Sequence, residues 1–342
     1  MRLIPSTALS LAAAAVLLAG CGGQGKGAGG GKTIVGAGST LVAPIVARWS
    51  ADYEQRAGVT VTYGSIGSGG GIAQITGRTV DFGASDAPLT PDQASACHGC
   101  AQVPWALAAT LVAYHVSGVP TKLRLSGPVL AEIFLGAVTR WNDPAITRLN
   151  AGVALPATKI TPVYRSDGSG DTYAFSDFLA KVSPEWKRRE GVSTQVNFPT
   201  GVGGKGNEGV AAAVSRTDGG IGYLGISYVF SNHLDYALVE NAAGAFPVPG
   251  VPSILAAARI VTTLPPSNAV SITNPPGSAA GAYPISTFTY AIVPKQSDKP
   301  QLLRAFLTYA VTAGQKFAPS LEFAPLPSAV VKADRSTIDV LG

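Results

Sequence analysis

Four apolar, β-branched runs in this chain end in turns built from glycine, serine and threonine, and this punctuation limits the fold more than any other feature. The turns are Gly36-Ala37-Gly38-Ser39-Thr40, Gly67-Ser68-Gly69-Gly70-Gly71, Gly83-Ala84-Ser85-Asp86 and Arg165-Ser166-Asp167-Gly168-Ser169-Gly170. Three lead into amphipathic segments, at 41–56, 71–76 and 172–179. Strand, turn and helix repeated in this order predict an α/β fold around a parallel sheet. Such sheets hold ligands beyond the C-terminal ends of their strands, where these turns fall. A helix start also offers unpaired N–H groups and the positive end of its dipole. The pattern therefore predicts an anion site made of the Thr40, Ser68 and Ser169 hydroxyls, N–H groups near Leu41 and Gly170, and the forked guanidinium of Arg165. Asp86 is the anomaly: a carboxylate among anion-binding turns, with no basic neighbour in sequence.

The remaining elements follow from periodicity. Strands are expected at 33–35, 59–63, 80–84, 106–114, 160–164, 221–223 and 283–293. Residues 102–105 read as an extended lead-in to the strand at 106–114. Helices are expected at 130–134, 144–149, 209–214 and, at the C-terminal end, 302–317. The stretch 242–282 is rich in proline and glycine and yields no assignment.

The first residues read as an export signal. Arg2 precedes an apolar run from Leu9 to Leu18, and Leu18-Ala19-Gly20-Cys21 has the form of a bacterial lipoprotein cleavage box. Residues 1–20 are then a signal peptide and Cys21 the lipidation site. Residues 21–32 form a Gly-rich tether to the membrane. A formal net charge of +5, scattered apart from Lys187-Arg188-Arg189, gives no stripe for nucleic acid. Outside the cytoplasm Cys97-His98-Gly99-Cys100 reads as a small-loop disulfide. A redox dithiol would open a helix after a strand, whereas this motif precedes an extended segment. Half a metal site would want a second CxxC or an HxxxH, and the chain has only His98, His115 and His233.

Nucleotide and hydrolase signatures fail on spacing. GxGxxG at Gly20, Gly22 and Gly25 falls in the lipid box and tether. A phosphate loop ending Gly31-Lys32-Thr33 would need glycine where Lys26 stands. Neither Ser39, Ser85 nor Ser169 lies in GxSxG, and no histidine adjoins the turns. No cofactor and no metal is implied.

Taken in order, the motifs resemble a known family. Gly36-Ala37-Gly38-Ser39-Thr40 with Trp49 downstream, Tyr63-Gly64-Ser65-Ile66-Gly67-Ser68-Gly69-Gly70-Gly71 and Asp81-Phe82-Gly83-Ala84-Ser85-Asp86-Ala87-Pro88 begin the likeness. It continues through Ile133-Phe134-Leu135-Gly136, Trp141-Asn142-Asp143, the Arg165 turn, Gly203-Gly204-Lys205-Gly206-Asn207-Glu208-Gly209-Val210 and Gly220-Ile221-Gly222-Tyr223. It ends at Tyr283-Pro284-Ile285-Ser286 and Ala324-Pro325-Leu326-Pro327. The whole set resembles the phosphate-binding proteins of high-affinity phosphate ABC transporters.

That resemblance implies a periplasmic-binding-protein type II fold, two lobes joined by two crossover strands. Lobe I would comprise 33–105 and 284–342, lobe II 106–283, with crossings near 103–106 and 283–285. It implies inorganic phosphate as ligand, with a membrane permease and an ATPase as partners, and no enzymatic activity. Mapped motif by motif, phosphate ligands fall on Thr40, the backbone at Leu41, Ser68, Asp86, Arg165, Ser169 and the backbone at Gly170, and Asp167 would hold the Arg165 fork. One departure stands out. The family usually carries Thr or Ser directly after the GSG of this last turn; here Asp171 follows, then Thr172. Either Thr172 takes over as ligand or the site loses a hydroxyl, and Asp171 suits the first turn of a helix. The competing function is a secreted phosphatase or phosphoester hydrolase that uses the same anion turns.

Overall fold

The computed structural model describes residues 32–119 and 122–342. The lipid box with Cys21 and nearly all of the tether lie outside the described residues. The chain opens with three strand–turn units: β1 (Lys32–Gly38), α1 (Ala43–Ala57), β2 (Val59–Ser65), α2 (Ser68–Thr76) and β3 (Phe82–Ser85). After α3 (Pro91–Ala96) runs the long β4 (Cys100–His115). The middle of the chain supplies β5 (Arg124–Leu125), α4 (Gly127–Phe134), α5 (Pro144–Thr147), β6 (Thr161–Arg165), α6 (Gly170–Val182), α7 (Pro184–Arg189), β7 (Val202–Gly204) and α8 (Gly206–Arg216). There follow β8 (Gly220–Gly225), α9 (Ile226–Ser231), β9 (Asp235–Tyr236), β10 (Leu238–Val239) and α10 (Val251–Ala258). The chain closes with β11 (Ser286–Pro294), α11 (Pro300–Val311) and α12 (Ser328–Asp339).

The strands order as β2-β1-β3-β11-β4-β8-β6-β7, with β9 also on β4; β5 and β10 pair separately. β1 is parallel to β2 and β3, and β6 is parallel to β7 and β8. All but β7 are runs expected as strands from the sequence; β7 lies in a stretch, 201–207, that reads as a loop. β11 and β4 run antiparallel between the two parallel groups. β4 serves both groups. Its residues Cys100–Ala109 pair with β11, and Thr110–His115 pair with β8.

Residues 102–105 are not a lead-in but part of β4, which is one strand of 16 residues. The sequence hides this because Pro104 has no N–H for a ladder. The structure accommodates it at a bulge: Ala106 faces Thr289 and Pro104 faces Tyr290, so Trp105 is the extra residue. The Gly83–Ser85 stretch likewise lies inside β3, leaving Asp86 as the first residue beyond the strand. At the other end, the helix expected over 302–317 stops at Val311 and continues as a 3-10 turn, Ala313–Phe317. Thr312 leaves the helical backbone conformation, and in the turn beyond it the Trp49 indole N–H donates to the Gly314 carbonyl at 2.9 Å and leaves no room for a side chain there. α12 carries no expectation from the sequence. In 242–282 the loop is tied down by Asn241, whose amide donates to the carbonyls of Ala280 and Ala282 at 2.8 and 3.0 Å.

Each parallel group packs its own aromatic cluster. Trp49 of α1, Phe82 of β3, Trp105 of β4 and Phe306 of α11 meet with ring centroids 5.4 to 6.4 Å apart. On the other side Phe134, Phe175 and Tyr223 meet at 4.4 to 5.9 Å, with Trp186 and Phe198 at their edge. Such ring pairs contribute about 0.5–1.5 kcal/mol each beyond simple burial. Two clusters on either side of one shared strand hold the ends of β1, β2, β3 and β6 towards the space between them.

Candidate functional site

The turns after β1, β2, β3 and β6 meet where the two groups of elements touch. Gly69 N–H donates to the Gly168 carbonyl at 2.9 Å, and Gly170 N–H donates to Ser68 Oγ at 3.0 Å. Thr40 Oγ1 accepts from the side-chain amide of Asn207 at 2.7 Å, and the Thr40 carbonyl accepts from Tyr228 Oη at 2.8 Å. The starts of α1, α2, α6 and α8 are thus gathered around one cleft.

Two glycines make this approach feasible. Gly67 has φ +88°, and a Cβ there would lie 2.3 Å from Asp167 Oδ2 and 2.8 Å from the Gly168 carbonyl. A Cβ on Gly170 would lie 2.4 Å from Cβ and 2.8 Å from Cα of Asp86. We expect Gly170→Ala to cost about 1–3 kcal/mol through overpacking. It would show as a lowered denaturation midpoint or, if the two groups part instead, as a larger radius in small-angle scattering. If neither changes, this contact is not tight in solution.

Asp86 is buried, with only 1% of its surface exposed. Ser39 Oγ lies 2.6 and 2.7 Å from its two oxygens, and Thr289 Oγ1 donates to Oδ1 at 2.8 Å. Ser68 Oγ accepts from the Asp86 N–H at 3.2 Å. Burial, and then the negative charge of Asp171, push the Asp86 carboxyl up to about 7; the Ser39 and Thr289 hydroxyls and Arg165 hold it from rising further. Tyr63, whose Oη donates to the Ser39 carbonyl at 2.8 Å, is pushed well up by burial and by Asp86.

Across the cleft, Arg165 uses Nε and Nη2 on the two oxygens of Asp167, at 2.8 and 2.6 Å. Its Nη1 donates to Asp171 Oδ2 at 2.9 Å. Three of about five guanidinium N–H donors are therefore committed to protein carboxylates. Gly206 N–H adds a bond to Asp167 Oδ1 at 3.0 Å. Burial alone would raise Asp167, but the bonds and charge of Arg165 prevail and hold it below its ordinary value.

The structure brings Thr40, Ser68, Asp86, Arg165, Ser169 and Gly170 together at this cleft, with Leu41 packed against Gly225 at its rim. Ser169 caps α6 and accepts from Thr172 N–H at 3.2 Å. Thr172 Oγ1 lies 2.8 Å from Tyr223 Oη, on the core side. Asp171 occupies the first turn of α6, fully buried. Ser39, Asn207, Thr289 and Thr110 are site residues that the sequence reading did not select. Thr110 had a signal, as a hydroxyl in an otherwise apolar strand run. Asn207 had one in its place at the head of α8. Cys97 and Cys100 form a disulfide, Cα atoms 5.6 Å apart, away from the cleft.

Comparison with known proteins gives three concordant findings. A family model described as the PBP superfamily domain matches residues 24–313. The phosphate-binding protein PstS of Xylella fastidiosa is 44% identical over 307 residues, 87% of this chain and 83% of its own. That of Pasteurella multocida is 41% identical over 306 residues, 88% of each. Among solved structures, a high-affinity periplasmic phosphate-binding protein, PfluDING, bound with phosphate, aligns with TM-score 0.73 at 23% identity, covering 89% of this chain and 93% of its own. A phosphate-binding protein from Stenotrophomonas maltophilia aligns with TM-score 0.70 at 20% identity over the same shares. At these identities the two structures speak for the fold, which is that of the periplasmic binding proteins.

Proposed function

The chain belongs to the PBP superfamily, in the family of the phosphate-binding proteins PstS, and from that premise we propose that it captures inorganic phosphate outside the cytoplasm and hands it to an ABC importer. The observation that carries the reading is the pairing, within one buried cleft, of a forked guanidinium, Arg165, with a carboxylate, Asp86, that can accept a proton-bearing oxygen. Phosphate near neutrality is both anionic and protonated, so it satisfies both. Thr40, Ser68 and Ser169 supply hydroxyls, Leu41 and Gly170 supply backbone N–H groups, and Arg165 supplies charge, its fork held by Asp167. The secreted-phosphatase alternative is not supported, since the relatives above are binding proteins by name.

In this reading lobe I (33–105 and 284–342) and lobe II (106–283) each bring half of the ligands. The passage of β4 from β11 to β8 supports a two-lobed division. Phosphate bridges the lobes and favours the closed arrangement. The closed form is what a membrane permease, driven by its ATPase, recognises. A lipid on Cys21, following removal of residues 1–20, tethers the protein to the membrane through 21–32. Among the described residues no helix is long and apolar enough to cross a membrane.

Equilibrium titration tests the reading. Inorganic phosphate is expected to bind at one site and to reduce the radius seen by small-angle scattering, while a phosphate monoester is not turned over. Turnover that disappears with Asp86→Asn, or failure to bind phosphate, would overturn it.

A further inference from the structure

Asp171 stands where a hydroxyl would otherwise serve, and its surroundings say what it does. Its Oδ1 accepts from Thr110 Oγ1 of β4 at 2.7 Å, and its Oδ2 accepts from Arg165 Nη1 and from Asn207 Nδ2 of α8, both at 2.9 Å. The residue before it, Gly170, lies directly against Asp86: a Cβ there would be 2.5 Å from Asp86 Oδ2. Ser68 links the two sides, donating to Asp86 Oδ2 at 3.4 Å and accepting from Gly170 N–H at 3.0 Å. Three carboxylates, Asp86, Asp167 and Asp171, therefore share one cleft with a single guanidinium, Arg165. Asp167 is fully engaged by the Arg165 fork and by Gly206.

A buried carboxylate facing an anion needs a proton between them, because two lone pairs in a dry site repel. With Asp171 beside Asp86, two such protons are needed instead of one. Dihydrogen phosphate carries two P–OH groups; hydrogen phosphate carries one. We propose that Asp171 makes this cleft a receptor for doubly protonated phosphate: the occupied site holds two protons, shared among the anion, Asp86 and Asp171. The inference rests on the phosphate reading above. Its consequence is that binding takes up a proton above neutrality, where free phosphate has lost its second proton.

Asp86, pushed up to about 7 by burial and by the charge of Asp171, is the titrating partner in this cluster. Tyr223 of β8 and Tyr228 of α9 are held above their ordinary value by burial, and Asp167 is held below its own. Glu208 of α8 meets the cluster through Tyr228, whose Oη lies 3.1 Å from its Oε1. Burial raises Asp171 itself, against the pull of Arg165 and of the Thr110 and Asn207 hydrogen bonds.

The test is a calorimetric titration of the full chain with inorganic phosphate from slightly acidic to moderately alkaline pH, in buffers of different ionisation enthalpy. For the unmodified protein, affinity should fall about tenfold per pH unit above neutrality, with uptake of about one proton. Asp171→Thr, which restores a hydroxyl, and Asp171→Asn, which keeps the shape, should each flatten that slope to less than about threefold per unit. Thermal melting shows which variants are folded, and either folded one suffices. A flat profile in the unmodified protein overturns the inference even if neither variant folds, and so does a slope that persists in the variants. Absence of phosphate binding at every pH overturns the phosphate reading itself, and this inference with it.

Discussion

Replacing Asp86 by Asn is expected to narrow the preference for phosphate over sulfate by about 10²–10³-fold. Sulfate carries no proton near neutrality, so against it an ionised Asp86 presents an uncompensated charge, and stranding a buried charge costs about 3–5 kcal/mol. Each ~1.4 kcal/mol is a factor of ten in affinity. Asn removes that charge and can turn its amide N–H₂ to either anion. Competition calorimetry checks it, and equal discrimination by both proteins sinks the idea. The carboxyl of Asp86 sits at about 7 in the folded protein, against an ordinary value of 3.8. Two consequences have definite signs. The exclusion of sulfate is present above about pH 7 and fades as Asp86 takes up a proton below it. In the absence of ligand the folded state binds more protons than the unfolded between 3.8 and about 7, so Asp86 makes stability fall as pH rises through that window. Asp86→Asn should remove its share of that fall.

Replacing Arg165 by Met should cost about 3–5 kcal/mol of stability at neutral pH, together with phosphate binding. Arg165 side-chain exposure is 1%, and its partners Asp167 and Asp171 are 13% and 0% exposed. Met fills much of the volume but leaves two carboxylates without a cation in a dry cleft. Chemical denaturation at two pH values reads the effect. Part of the deficit should return in acid, where Asp167 and Asp171 can be neutralised by protons. The double variant Arg165→Met with Asp171→Thr should be more stable than Arg165→Met alone, because one stranded charge is gone. A single variant as stable as the parent would mean that the pairs contribute nothing net.

The strand–turn–helix order of the first hundred residues was legible because β1 and β2 carry β-branched runs, β3 is a short buried strand after Val80, and each is followed by residues that suit a turn. The same logic located the β6 turn with Arg165. What escaped the reading depends on distant partners. Pro104 argues against a strand until the bulge opposite Thr289 and Tyr290 is seen. The turn that follows α11 holds Gly314 against Trp49, far away in sequence, which claims its carbonyl. Ser39 and Thr289 are ordinary polar residues until β11 brings Thr289 beside the end of β3, where both serve Asp86. Asp171 was visible as a departure, but its pairing with Thr110 and Asn207 requires β4 and α8 to meet at the head of α6.

The order of strands in the sheet dictates the order in which the chain can be completed. β11 fills the gap between β3 and β4, yet it begins at Ser286, whereas β3 ends at Ser85 and β4 at His115. On a nascent chain both neighbours therefore present open edges until nearly the whole protein has been made. The middle of the chain, with β6, β7 and β8, has its strands and aromatic cluster in hand much earlier. The sheet is completed when β11 inserts between β3 and β4, and Thr289 arrives on that strand to complete the hydroxyl set around Asp86. The hydrogen-bonded surroundings of Asp86 are therefore complete only when the sheet is.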